Sequence, residues 1–391
     1  MTTVDVNPLI LRWAQHRSGH SDTKMRTRFP TWDSWIQQKV KPTLSQLEML
    51  AEYTHVPFGY FFLAKPPNEE LPSLEASSNL LDTFYLNQRR QDWYVEYLTT
   101  MEISNPLSFT GSAKNMDAAT AATLITQALS YDVPHRPIPS VDSRSHLIAQ
   151  WERLGGLVVF SSMVGNDTTR MLDLEEFQGF TLQSHIAPLI FVNSCDTVTG
   201  QIFSFLRECA HVWHDDDSGI ITGGASSSNT SNVTEHWCDD VATEIAVPAT
   251  DLHNNFNPHV NLTLELDRLS HRYHCPTSII LRKLRATGLI TFHKTNNTKD
   301  DNNRDYHQHL SERLVSAIIR NTQLGITPMT EALRLLEFSS IPEFDAAAAT
   351  FGRRKAWREL SRATYPLTLL KGIVCRHRSF HVSSRSPINS M

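Results

Sequence analysis

Cysteine is scarce in this 391-residue chain: five residues, at positions 195, 209, 238, 275 and 375, an odd number with no Cys-x-x-Cys pair. That count and spacing argue against a disulfide framework. Long apolar runs are missing as well. None approaches the roughly 20 residues needed to cross a bilayer, and residues 1–8 lack the basic-then-apolar layout of a secretion signal. No membrane partner is expected, and the expected compartment is the cytoplasm. A strong excess of one charge is also lacking, with 41 acidic against 36 basic side chains. Any nucleic-acid footprint must therefore be local, and near the N-terminus Lys24, Arg26, Arg28, Lys39 and Lys41 form only a modest basic strip.

What is present supports a folded protein. Forty per cent of the residues are hydrophobic and eight are Trp, enough for a real core, which excludes a mainly disordered chain. At roughly 100–200 residues per domain, the length predicts two or three folded units. The unusual entry is histidine, with 18 residues, the side chain most often recruited for zinc and for proton transfer near neutral pH.

The first sixty residues predict four short helices: Leu9–Arg17 behind an Asn7-Pro8 start, a polar helix from Ser21 to Phe29, one from Thr31 through Trp35, and Thr43–Tyr53. Four short helices with tight connections fit a helix-turn-helix or a small protein-contacting bundle equally well. Trp32 and Trp35 read as core, and Gln37, Gln38 and Lys39 are the candidate DNA-groove contacts. Residues 57–72 read as an aromatic connector and then a linker, and Leu80–Met101 as a long amphipathic helix whose Arg89 and Arg90 belong to a solvated face.

From residue 143 the pattern changes. A helix at Leu147–Leu154 precedes three strand-like runs, Leu157–Phe160, Gly179–Leu182 and Leu189–Val192, each rich in Val, Ile, Leu or Phe. The apolar helix Thr199–His214 follows, so the unit is α+β, a three-stranded sheet against a long helix. Residues 223–232 read as a mobile Gly/Ser/Thr/Asn loop and 296–303 as a polar surface loop. Further helices are expected at Thr234–Val247, Leu262–Tyr273, Pro276–Arg285, His307–Ile319 and Thr330–Phe338, and beyond Gly352 a basic, solvated tail.

The chemistry concentrates in Arg207-Glu208-Cys209-Ala210-His211, one residue away from the zinc-peptidase motif H-E-x-x-H. In that motif the i and i+4 imidazoles share a helix face and grip one metal, while the Glu beside the first reaches the metal-bound water. Here Arg207 stands where the first His belongs. Glu235, 24 residues beyond His211, opens the next helix and is placed to supply a carboxylate ligand.

The wider sequence resembles the ImmA/IrrE family of metallo-endopeptidases, in its long form with an N-terminal Xre-like helix-turn-helix, over roughly residues 7 to 290. The resemblance rests on Leu9-Ile10-Leu11-Arg12-Trp13-Ala14, Lys41-Pro42-Thr43-Leu44, the stretch His55 to Leu63, the block Arg89 to Tyr94, and Ala187 to Asn193. It continues through the near-motif, Glu235-His236-Trp237-Cys238-Asp239-Asp240-Val241-Ala242 and Val247-Pro248. It implies a mostly helical α+β fold. Residues 1–66 would form the helix-turn-helix, 67–135 a helical linker region, 136–290 the zincin-like domain with a small sheet packed on the motif-bearing helix, 291–351 C-terminal helices and 352–391 the basic tail.

The resemblance further implies zinc held by His211 and Glu235, Glu208 as general base, and hydrolysis of a peptide bond in a repressor protein bound as an added strand. In the family such cleavage relieves repression of mobile elements or stress genes. DNA would be contacted through the N-terminal domain. Arg207 opposes the zinc assignment, because a guanidinium has no free lone pair and stays protonated. Three outcomes remain open at this level: Arg207 pairs with Glu208 or Glu235 in a vacated site and the chain is a pseudopeptidase; Glu208, His211 and Glu235 bind metal without a base; or His214 or His236 is recruited.

Overall fold

The computed structural model describes residues 3–54, 56, 58–66, 77–215, 229–290, 306 and 308–362. The chain divides into two compact units, Met1–Glu337 and Phe338–Met391. The first is a mostly helical α+β assembly.

It begins with α1 (Pro8–Arg17), α2 (Asp22–Arg28), α3 (Trp32–Ile36) and α4 (Leu44–Thr54). Side-chain caps fix two of the starts: Asn7 Oδ1 accepts from the Leu9 N–H and Ser21 Oγ from the Lys24 N–H. Ile10, Leu11, Ala14, Met25, Trp32, Trp35, Leu47 and Leu50 close into a small core of their own. Then come α5 (Ser78–Thr100), α6 (Ala118–Leu129) and α7 (Ser140–Leu154), followed by β1 (Leu157–Ser161), β2 (Gly179–Leu182) and β3 (Leu189–Asn193). After the strands come α8 (Val198–His214), α9 (Asn229–Ala246), α10 (Ala249–Asn255), α11 (Leu262–Tyr273) and α12 (Thr277–Ala286). The unit finishes with β4 (His309–Leu310), α13 (Glu312–Gln323) and α14 (Met329–Leu336). The second unit contains α15 (Ile341–Arg362).

The sheet runs β2-β3-β1-β4, with β1 and β3 parallel and the outer two strands antiparallel to their neighbours. β1 and β3 are buried at every position, the mark of strands covered on both faces. Alternation divides the coverage. Phe160, Ile190 and Val192 pack with α8 through Phe205 and Leu206, whereas Phe180 and Phe191 stack together on the other face, where Phe84 of α5 meets Phe180. One carboxylate ties the N-terminal helices to this body. Asp82 of α5 lies 2.7 Å from Arg17 of α1 and 2.7 Å from Arg170 in the β1–β2 connection, all three side chains nearly buried.

The three predicted strands and the motif helix lie where the sequence places them. Three expectations need correction. Residues 229–232 are not loop but the first turn of α9. His309 and Leu310, expected inside a helix starting at His307, instead pair with Phe160 and Val159, so the sheet has four strands and the helix starts at Glu312. Arg90, assigned to a solvated face, is only 5% exposed. The segments 67–72, 223–228, 296–303 and 363–391 fall outside the described residues. The described part of the basic region, to Arg362, continues α15. None of the described cysteines forms a disulfide, and among the described residues no helix is long and apolar enough to cross a membrane.

Candidate functional site

The site is built where α8 crosses the sheet and meets α9. Thr197 caps α8, its Oγ1 accepting from the Gly200 N–H, and the helix then buries nearly every residue to Trp213. Such a helix turns polar side chains at 207, 208 and 211 into the protein rather than out to water. Gly179 on β2 permits the approach: a Cβ there would lie 2.7 Å from the Phe191 carbonyl oxygen and 3.3 Å from Glu208 Cγ. Thr181, two residues along the same strand face, donates its hydroxyl to Glu208 Oε2 at 2.9 Å.

The structure brings Glu208, His211 and Glu235 together around Arg207. The Arg207 guanidinium pairs with Glu235 through Nη2, lies 3.1 Å from Asp239 Oδ1 through Nε, and stands 3.8 Å from Glu208 Oε1. Burial alone lowers the pKa of Arg207, but the charges of Glu208, Glu235 and Asp239 outweigh it and hold the group above its ordinary value. Glu208 is pushed up to about 7, chiefly by its burial, against the pull of Arg207 and Thr181. His211 is lowered to about 3, again chiefly by burial and next by the Arg207 charge, so its imidazole is neutral at pH 7. Its Nδ1 lies 3.3 Å from Cys238 Sγ and its Nε2 faces Glu235 Oε1 at 3.7 Å.

Zinc needs three protein donors and an open fourth position. His211 Nε2 and Glu235 face one another as two such donors would, but the third position carries a guanidinium, and Glu235 is engaged by it. His214 packs against Trp237, with ring centroids 4.8 Å apart, and His236 is exposed. Among the described residues no group of three His, Cys, Asp or Glu side chains is arranged to hold a metal ion. The residues present do not fit zinc.

Asp239 is the participant that the sequence reading missed. Its signal was available: it lies four residues after Glu235, on the same face of α9. Gln37, Gln38 and Lys39 take no part in this cluster. They form the exposed turn between α3 and α4, with Gln38 in the left-handed region at φ 56°.

Residues 152–285 match the family model of the IrrE N-terminal-like domain, Peptidase_M78. That segment is an ImmA/IrrE-type domain. The matched segment starts in α7 and ends in α12, so it contains β1, β2, β3, the α8 near-motif and the α9 carboxylates. An ImmA/IrrE domain is a metallopeptidase-like domain, and Arg207 lies at the heart of this one. No curated protein matches the chain significantly.

Proposed function

We propose that this ImmA/IrrE protein is a non-hydrolytic regulator, in which Arg207 replaces the metal as the cation that holds the site's carboxylates together. One observation carries the reading: the Arg207 guanidinium is ion-paired with Glu235 and close to Asp239 and Glu208. The arrangement conserves charge logic while removing the Lewis acid. Glu208, the residue that would serve as base in a hydrolytic relative, is held by Thr181 and largely shielded from solvent. An arginine cannot lower the pKa of a bound water as a dication does.

What the domain retains is a shape suited to holding a protein partner. β2 is an edge strand of the described sheet, and an extended peptide, such as a segment of a repressor protein, binds such an edge by main-chain hydrogen bonds. The N-terminal helical module, with Gln37, Gln38 and Lys39 on its surface, serves in this reading as the DNA-contacting part.

The test compares the parent with Arg207→His. The parent is expected to purify with far less than one equivalent of zinc and to leave a repressor intact, whereas Arg207→His gains zinc. Stoichiometric zinc in the parent, with proteolysis that disappears in Glu208→Gln, overturns the reading and restores a zinc endopeptidase.

A further inference from the structure

On the opposite side of the sheet from α8 lies a cavity of about 140 Å³, partly open to solvent and lined by α5, β1 and the residues after it, Phe191 of β3, β4 and the end of α14. None of Arg207, Glu208, His211, Glu235 and Asp239 lines it, so the cavity is not part of the site described above. Drug-sized pockets hold roughly 300–1,000 Å³. This one suits a small metabolite.

Its polar lining includes a pair of opposite charges that meet only loosely. Arg90 reaches the cavity from α5. Its Nε donates to the Leu335 carbonyl at 2.8 Å and its Nη1 to Asn87 Oδ1 at 3.3 Å, which anchors the guanidinium plane. Nη2 meets Glu337 Oε2 at 3.6 Å, beyond hydrogen-bond distance. Burial lowers Arg90 to about 10 despite Glu337, and raises the Glu337 carboxyl despite Arg90, so neither charge is well solvated by the other. Glu337 itself is fixed. It sits in the left-handed region at the end of α14, its carbonyl accepts from Asn166 Nδ2 at 2.7 Å, and its carboxylate lies over Gly165, where any Cβ would collide with it.

We propose that this cavity binds a small free α-amino acid. The ligand's carboxylate lies along the Nη1–Nη2 edge of Arg90, the planar fork that matches a carboxylate, and its ammonium is taken by the Glu337 carboxylate. A single zwitterion thereby gives the buried Arg90 and the partly exposed Glu337 each a closer partner than they are to one another. A neutral ligand satisfies neither, and a simple carboxylate or amine satisfies one while repelling the other. Ser161 and His309 also line the cavity, and its volume of about 140 Å³ restricts the side chain to a small one. The proposal does not depend on whether the α8 site hydrolyses peptides.

The experiment is thermal unfolding of the full chain titrated with each small L-amino acid, with its D-enantiomer as the control for bulk solvent effects. At least one L-amino acid is expected to raise the midpoint at millimolar concentration, while its enantiomer, its decarboxylated amine and its des-amino acid do not. Glu337→Gln keeps the backbone contact to Asn166 and leaves a half-exposed position isosteric, so it is expected to fold and to weaken binding by roughly tenfold or more. Arg90→Lys, which keeps the charge and loses the fork, is expected to weaken it as well. No midpoint shift with any amino acid overturns the proposal. So does equal stabilisation by the des-amino acid, or parental affinity in folded Glu337→Gln.

Discussion

Two buried arginines stand on opposite faces of one small sheet, and they are solvated in opposite ways. Arg207, on the α8 face, is enclosed by three carboxylates. Arg90, on the α5 face, has a carbonyl, an amide oxygen and one carboxylate at a distance. The first arrangement is closed: the cation's charge is more than matched by protein groups, and nothing further is needed. The second is open and stays short of one good partner. Burial by itself therefore does not mark a ligand site; the balance between a buried charge and its protein partners does.

The largest expected effect breaks the closed site. Arg207→Ala leaves Glu208 and Glu235 crowded without a cation, while Asp239 keeps Arg282 at 3.3 Å, and removal of one partner of a buried pair costs about 3–5 kcal/mol. Urea unfolding at pH 7 checks this, and a loss near zero means that the cluster is hydrated and the guanidinium is a spectator.

The next effect is a pH dependence. Because the Glu208 carboxyl is raised from 4.5 to about 7 in the folded protein, folding favours its protonated form. Its contribution is fully present below about pH 4.5 and is lost as pH rises towards 7. Glu208→Gln removes that loss, so the stability of the variant relative to the parent grows with pH by up to about 1.4 kcal/mol per unit across this window, then levels off. Arg207, Glu235, Asp239 and Thr181 all face this carboxyl and remain in the variant. The neutral, buried His211 acts with the opposite sign, losing stability as pH falls below its ordinary value towards about 3, and it cancels in the comparison of the two proteins. Unfolding free energies at a series of pH values give the difference directly, and a flat difference refutes it.

The smallest effect belongs to the open site. Arg90→Leu orphans the Leu335 carbonyl, while Glu337, which is partly exposed, regains water. The expected cost is about 1–2 kcal/mol by the same urea measurement. A cost equal to that of Arg207→Ala erases the distinction between the two arginines.

The sequence makes the α8 side of this comparison legible and hides the α5 side. Leu157–Phe160 and Leu189–Val192 are apolar without alternation, so strands buried on both faces could be read directly. Arg207 shows itself as a departure from a motif, and Asp239 is recoverable from its four-residue spacing to Glu235. Arg90 has no such signal. It follows Arg89 in a polar stretch of a long helix, and its burial depends on α14, whose Leu335 carbonyl lies 245 residues away in sequence. β4 is hidden for a related reason: His309 and Leu310 have no strand character of their own and become a strand only because β1 offers an open edge. The start of α9 within an Asn/Ser/Thr run shows a helix extended past the point where composition favours it.

Asp82 carries a mechanical consequence. A single side chain, one oxygen to each arginine, rivets the N-terminal helices to the connection that leads into β2, the strand beside Glu208. Arg17 also lies over the Tyr85 ring, 5.1 Å from its centroid, so α1 meets α5 through two neighbouring contacts and reaches the β1–β2 connection through the shared Asp82. Arg17 and Arg170 therefore share one counter-ion, and a change at Asp82 loosens both ends of the joint together.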